Sequence, residues 1–269
     1  MDSNNISVSV LGVSGRMGKA IIQSIASYPN CILASGVEKK DSVYVGMDSG
    51  LNAGIRQTNI PITDNLEEAV KSADVVIDFS SHQNTHSTLE TVTKYKKPLV
   101  MGVTGLGEKE KSAIQSASKS IPIVFSPNMS VGVNLLFKLV ELAASVLGGK
   151  FDIEVLDIHH RHKRDSPSGT SHKLKEVLLK TLNRTENNVI YGREGLHDER
   201  ESKEIAIHSM RAGEVVGEHT VMFFSPEERV EIKHSAIDRK TFAVGSLRAA
   251  EFVVNKSYGL YDMFDVLGL

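Results

Sequence analysis

From Ile6 to about Ser126, short runs rich in β-branched residues alternate with segments whose apolar positions recur at helical spacing. The runs Ile6–Val13, Cys31–Val37, Asp74–Phe79, Pro98–Val103 and Ile121–Phe125 read as strands. Between them, Arg16–Ser27, Asn65–Ser72 with Asp64 as its N-cap, Gln83–Tyr95 and Glu108–Ser118 read as helices. A parallel strand needs a crossover to carry the chain back, and a helix supplies it, so this alternation predicts a doubly wound parallel α/β sheet of Rossmann-like type. The stretch Lys40–Thr63 holds several Gly and Asn residues without a clear period, leaving room for one short strand.

The pattern changes further along. Val131–Leu147 is strongly apolar and stops at Gly148-Gly149, which predicts a well-buried helix with a glycine end. Beyond Lys150 come longer alternating runs, Phe151–His159, Glu204–Met210, His219–Phe224 and Arg229–His234, with a helix over Ser171–Leu182. These predict an α+β domain with a mixed or antiparallel sheet. The expected division is therefore 1–130 and 131–239, followed by a helix over Arg239–Asn255 and the tail Gly259-Leu260-Tyr261-Asp262-Met263. The pattern leaves open where 240–269 packs, a return onto the first domain being one option.

Composition narrows the function classes. The chain has 269 residues, 24% charged, with a formal net charge of -2, so no global field draws it to nucleic acid or an anionic membrane. Neither is expected as a partner. Cys31 is the single cysteine, which excludes an intrachain disulfide and a cysteine-rich metal site and fits a reducing compartment. Tryptophan is absent and the other aromatics are scattered, against a stacking platform for single strands. The opening Met1-Asp2-Ser3-Asn4-Asn5 is polar and lacks the features of a secretion signal, and no apolar run approaches the ~18 residues of a membrane span, so a cytoplasmic protein is expected.

Two segments carry chemistry. The first strand runs into Gly12-Val13-Ser14-Gly15-Arg16-Met17-Gly18, a loop opening a helix. Glycines let backbone approach a diphosphate, and the helix start offers it unpaired N–H groups and partial positive charge. Glu38 closes the second strand, where a carboxylate can accept from ribose hydroxyls, and Lys39 and Lys40 beside it suit a 2′-phosphate. NADH, NADPH or both are the expected cofactors. Gly102-Val103-Thr104-Gly105 and Ser126-Pro127-Asn128-Met129 follow the fourth and fifth strands, where an open parallel sheet binds ligands, although such residues also serve as plain turns.

The second segment is Asp157-Ile158-His159-His160-Arg161-His162-Lys163-Arg164-Asp165-Ser166-Pro167-Ser168-Gly169-Thr170, which leaves a strand, turns and enters a helix. Imidazoles exchange protons near neutral pH, and Lys163 can hold a carboxylate or stabilise developing negative charge. Backbone N–H groups near Gly169 and Thr170 can cradle a second anionic group. The combination suits a small anionic dicarboxylate requiring proton transfer. If strand alternation continued, His159 and Arg161 would face opposite to His160 and His162. A solvated cationic loop would show the same residues, and the adjacent Arg and Lys oppose a metal ion there.

Together, Gly15-Arg16-Met17-Gly18, Gly102-Val103-Thr104-Gly105, Asn128 with Ser130-Val131-Gly132-Val133-Asn134, the His159–Thr170 run and Gly217-Glu218-His219-Thr220 closely resemble the 4-hydroxy-tetrahydrodipicolinate reductase family, long called dihydrodipicolinate reductases. The resemblance runs nearly end to end. It implies a dinucleotide-binding N-terminal domain, a C-terminal domain that binds substrate and builds a homotetramer, and an oxidoreductase of diaminopimelate and lysine biosynthesis. By position it implies that His159 is the general acid/base and Lys163 a proton donor or charge stabiliser. It likewise implies that His160, Gly169 and Thr170 contact substrate carboxylates. The family usually has glycine where Ser14 stands, commonly arginine where Lys39 stands and threonine where Val103 stands. On the residues alone, another dehydrogenase of small dicarboxylates or a non-catalytic nucleotide sensor remain alternatives.

Overall fold

The computed structural model describes residues 5–196 and 198–269; most of the polar opening segment, 1–4, lies outside the described residues, as does His197. The chain forms two compact units, one of Met1–Val131 with Arg239–Leu269, the other of Gly132–Asp238.

The first unit contains β1 (Ile6–Leu11), α1 (Arg16–Ile25), β2 (Cys31–Val37), α2 (Ser49–Asn52), β3 (Ile62–Thr63), α3 (Leu66–Ser72), β4 (Val75–Asp78), α4 (Thr85–Lys94), β5 (Leu99–Met101), α5 (Glu108–Ala117) and β6 (Pro122–Phe125). The second unit holds α6 (Val131–Leu147, whose first residue falls in the first unit), β7 (Asp152–His159), α7 (Gly169–Leu182), β8 (Val189–Tyr191), β9 (Ile205–Arg211), β10 (Gly217–Phe224) and β11 (Arg229–Ala236). The chain then returns to the first unit as α8 (Lys240–Val253), β12 (Gly259–Tyr261) and α9 (Met263–Leu267).

The first unit is a seven-stranded sheet in the order β12-β6-β5-β4-β1-β2-β3, parallel throughout. Its central strands are apolar on both phases of the two-residue repeat because both faces are covered. Val75 and Ile77 enter a core with Ile21, Leu247 and Val253, whereas Val76 enters another with Leu89, Val92 and Ile114. Each such aliphatic side chain withdrawn from water contributes about 1.5–3 kcal/mol before entropy is counted. The C-terminal segment thus supplies both a covering helix, α8, and an edge strand, β12, which pairs with β6.

The second unit is a five-stranded mixed sheet, β11-β10-β7-β9-β8, in which β7 is antiparallel to β10 and parallel to β9. Several expectations need correction. Asn65, not Asp64, caps α3, its side chain accepting from Glu68 N at 3.2 Å. The unassigned stretch contains both a helical turn and β3, a two-residue strand. The helix over 131–147 is not well buried: Leu135, Leu139, Leu142 and Val146 are exposed, at 42–75% of their full area for this stripe. An all-round apolar composition reports hydrophobicity but not which face has a neighbour within the chain.

Candidate active site

The crossover of strand order falls between β1 and β4, where an open parallel sheet forms its ligand crevice at the carboxyl ends of the strands. Gly12 leaves β1 at φ +76°, and a Cβ there would stand 2.9 Å from Ser80 Cα in the loop after β4. At Gly18, one turn into α1, a Cβ would come within 2.3 Å of Gly12 O, so glycine is what lets the helix start against its own loop. Gly15 is the N-cap and offers no side-chain acceptor to the first-turn N–H groups. Their partial positive charge opens onto the crevice.

The side chain of Val13 is buried in the core with Ile22 and Ile62, so it can meet a ligand only through backbone. Ser14 turns its N–H and hydroxyl on Glu38 Oε1, at 2.9 and 2.5 Å, tying the glycine loop to the end of β2. Gly12, Glu38, Lys39, Lys40 and Ser80 line a cavity of about 330 Å³. A second cavity of about 320 Å³ is lined by Met17, Gly102, Val103, Thr104, Pro127, Asn128 and Met129, with Phe79 and Phe242. Ser126 is buried and donates its hydroxyl to Asn128 O at 2.8 Å, shaping that loop from beneath. Arg16 is exposed. At the root of the crevice, burial pushes the Asp78 carboxyl above its ordinary range, while Ser80 N donates to it at 2.8 Å.

These residues fit a nicotinamide dinucleotide: a helix start without a side-chain cap, a glycine loop with no room for Cβ atoms, and a wall carrying one carboxylate and two ammonium groups. The carboxylate suits ribose hydroxyls. The lysines suit an added phosphate.

In the second unit, strand phase builds the other half of the chemistry. Along β7, Ile153, Val155, Asp157 and His159 share the buried face. Register does the rest: Asp157 lies opposite His219 on β10 and opposite Ser209 on β9, and Arg211 lies opposite His159. Asp157 is fully inaccessible to solvent. Its Oδ2 accepts from Ser168 N at 2.9 Å, Arg211 Nη2 at 3.1 Å and Ser209 Oγ at 3.2 Å. Its Oδ1 sits 2.8 Å from His159 Nδ1 and 3.4 Å from His219 Nε2, close contacts rather than aligned hydrogen bonds. Burial alone would raise the Asp157 carboxyl, but the two imidazoles and the Ser168 amide outweigh it and hold the group far below the usual carboxylate range. Burial pushes the His219 imidazole toward its neutral form against the pull of Asp157. These three donors lie within 4.8 Å of one another, as metal ligands would, but the Arg211 guanidinium already sits on the same carboxylate.

Strand alternation stops at His159. A turn closes with Lys163 N donating to His160 O at 3.1 Å, and the His160 and His162 rings lie 6.1 Å apart by centroid. Arg161 and Arg164 are exposed, and Lys163 pairs with Asp165 at 2.9 Å. Ser168 then caps α7, accepting from Ser171 N at 3.2 Å, so Gly169 and Thr170 form the first residues of the helix. A third cavity, about 600 Å³, is lined by Ser166, Pro167, His172, Tyr191, His208 and Ser209 among others. Among the described residues, its lining includes none of His159, His160, Lys163, Gly169 or Thr170.

Sequence reasoning passed over Asp157, Ser168, Arg211 and His219 as working groups. Asp157 carried a readable signal, an acid two places before a histidine on the inward phase of a strand, and His219 stood in the Gly217-Glu218-His219-Thr220 motif.

Glycine loop, acid and lysines in one unit, and a titratable cluster beside a helix start in the other, define a two-domain nicotinamide-dependent oxidoreductase. Comparison with known proteins makes this specific. The family model described as "Dihydrodipicolinate reductase, N-terminus" matches residues 6–129 and that described as "Dihydrodipicolinate reductase, C-terminus" matches 132–267. The chain belongs to the dihydrodipicolinate reductase family, whose members are NAD(P)H-dependent oxidoreductases.

Solved structures agree on fold. Dihydrodipicolinate reductase from Paenisporosarcina sp. TG-14, bound to dipicolinate, is similar at a TM-score of 0.75 and 20% identity over 97% of this chain and 98% of that one. Amine dehydrogenase from Mycobacterium smegmatis is similar at 0.60 and 9%, over 95% and 94% of the two chains. Aspartate semialdehyde dehydrogenase II from Vibrio cholerae is similar at 0.55 and 10%, over 94% and 100%. Among the described residues no helix is long and apolar enough to cross a membrane.

Proposed function

We propose that this chain reduces 4-hydroxy-tetrahydrodipicolinate to tetrahydrodipicolinate, water leaving along the way, in diaminopimelate and lysine biosynthesis. The observation that carries the reading is the pairing, in one loop, of a proton-exchanging imidazole at the end of β7 with the capped start of α7 ten residues later. When bound, NADH or NADPH supplies the hydride. Gly12, Val13, Ser14, Gly15, Arg16, Met17, Glu38 and Lys39 hold the adenosine and diphosphate end, and Gly102, Val103, Thr104, Ser126, Pro127, Asn128 and Met129 the nicotinamide end.

Reduction of the conjugated, cyclic imine leaves electron density on carbon, and His159 donates the proton that neutralises it. Lys163 stabilises the negative charge that develops and contributes to carboxylate binding. His160 and the N–H groups of Gly169 and Thr170 receive a carboxylate, aided by the dipole of α7. Support for a dicarboxylate also comes from the dipicolinate-bound relative. The expected assembly is a cytoplasmic homotetramer, in keeping with the exposed leucine stripe of α6; light scattering on the purified chain tests the stoichiometry.

The deciding experiment follows cofactor absorbance with freshly generated substrate, using NADH and NADPH in parallel. His159→Gln and Lys163→Ala are each expected to lower turnover roughly 10²–10⁴-fold with cofactor binding retained. Full turnover in both variants would end the catalytic assignment, and no substrate-dependent oxidation with either cofactor would end the proposed reaction.

A further inference from the structure

The sheet of the second unit spends a carboxylate in its interior, and a buried charge of that kind survives only when its surroundings keep compensating it. The charged and titratable groups facing Asp157 are His159 on its own strand, Arg211 on β9 and His219 on β10, with Lys163 close enough to act on His219 through space. Ser168 N, Ser209 Oγ and Arg211 Nη2 all lie on Oδ2, leaving Oδ1 to the two imidazoles. The rings are not equivalent. His219 Nε2 has Ser168 Oγ at 3.0 Å and stands farther from the carboxylate, whereas His159 Nδ1 is at 2.8 Å.

We propose that Asp157 is the positioning residue of His159, holding the ring with Nδ1 turned inward so that Nε2 is the atom that exchanges protons. Arg211 makes this workable, because a fixed cation on Oδ2 keeps the carboxylate compensated when His159 gives up its charge. His219, stacked edge-on against His159 with centroids 5.2 Å apart, limits the tilt of the ring. Gly217 completes the arrangement: a Cβ there would stand 3.0 Å from His159 Nε2, so any side chain at 217 would crowd that nitrogen. The Gly217-Glu218-His219 sequence is thereby accounted for at its first and third positions.

In the proton step, the N–H bond at His159 Nε2 breaks and a C–H bond forms on the reduced substrate. The ring is left neutral with its Nδ1 proton still facing Asp157, and a solvent proton restores it. Both electrons of the reduction come from the hydride donor, and the ring supplies a proton only.

The role rests on the reading of His159 as proton donor, and the variants separate the two. Asp157→Asn is expected to lower turnover about 10²-fold with KM and cofactor affinity within a few-fold, because a carboxamide can present its N–H₂ to Nδ1 and so no longer fixes which ring nitrogen faces inward. Asp157→Glu restores part of the turnover. The double variant with His159→Gln is expected to be no slower than His159→Gln alone, since a positioning residue has nothing left to position. If His159→Gln abolishes turnover while Asp157→Asn keeps the rate, the positioning role is overturned and the donor reading stands. If His159→Gln retains turnover, the donor reading falls and takes this role with it. Should Asp157→Asn fail to fold, nitrogen NMR of the unaltered protein decides: a neutral His159 protonated at Nδ1 supports the role, and one protonated at Nε2 overturns it.

Discussion

Gly245 lies inside α8, where helix propensity alone would favour replacing it with alanine by about 1 kcal/mol. Packing argues the other way. A Cβ at this position would stand 1.7 Å from Met129 O and 2.8 Å from Met129 C, backbone atoms of a residue 1% exposed in the core beneath the crevice. Ordinary carbon contacts need about 3.5 Å, so helix or loop must withdraw by well over ~1 Å. Forcing one extra methyl into a packed interior costs about 1–3 kcal/mol when a flexible side chain can give way, and here the obstacle is backbone, which puts the cost at or above the upper end. Subtracting the propensity gain leaves Gly245→Ala about 2 kcal/mol less stable. In a protein of this size that lowers Tm by about 4–8 °C, readable by calorimetry or circular dichroism. Since Pro127, Asn128 and Met129 line the crevice, dinucleotide affinity measured by fluorescence titration is expected to fall as well. An unchanged or raised Tm would refute the reasoning, because it would mean that α8 does not make this close approach and that propensity governs the site.

Two further outcomes follow from the electrostatics. Burial raises the Glu154 carboxyl, but bonds from His208 and Arg193 outweigh it, so its folded-state affinity for protons lies below the ordinary 4.5. A depressed carboxylate contributes stability that is full above its unfolded value and lost as pH falls through the folded one. Glu154→Gln should therefore flatten the decline of stability below about pH 4.5, checked by urea unfolding at stepped pH, and an unaltered acid slope would count against the pairing. Burial, with Glu251 nearby, pushes the Cys31 thiol up to about 12, so the native protein should resist alkylation at neutral pH and react only on unfolding. Rapid labelling under native conditions would contradict the burial of β2.

What the sequence determined by itself was local. The alternation of β-branched runs with helical periods defined the parallel sheet, because a covered parallel strand has to be apolar along its length. The glycine loop was legible for a similar reason: the positions that must lack a Cβ all fall within seven consecutive residues. The basic run announced an anionic substrate through its charges, and family likeness supplied which one.

Elements that exist only through a neighbour were not legible. β3, β8 and β12 are two or three residues long and owe their identity to pairing with β2, β9 and β6, too short for any period to show. The apolar run over 131–147 predicts burial, yet one of its stripes, Leu135, Leu139, Leu142 and Val146, has no cover among the described residues. The partners of Asp157 show the same limit most plainly. Ser209 and Arg211 stand 52 and 54 residues away from it, and only the register of β7 with β9 and β10 brings a serine, a guanidinium and a second imidazole onto one carboxylate. Strand phase is a property of the residue and its neighbours in sequence, whereas register is set by how whole strands bury their faces together, so the tertiary structure alone decided which distant groups share the carboxylate that faces His159.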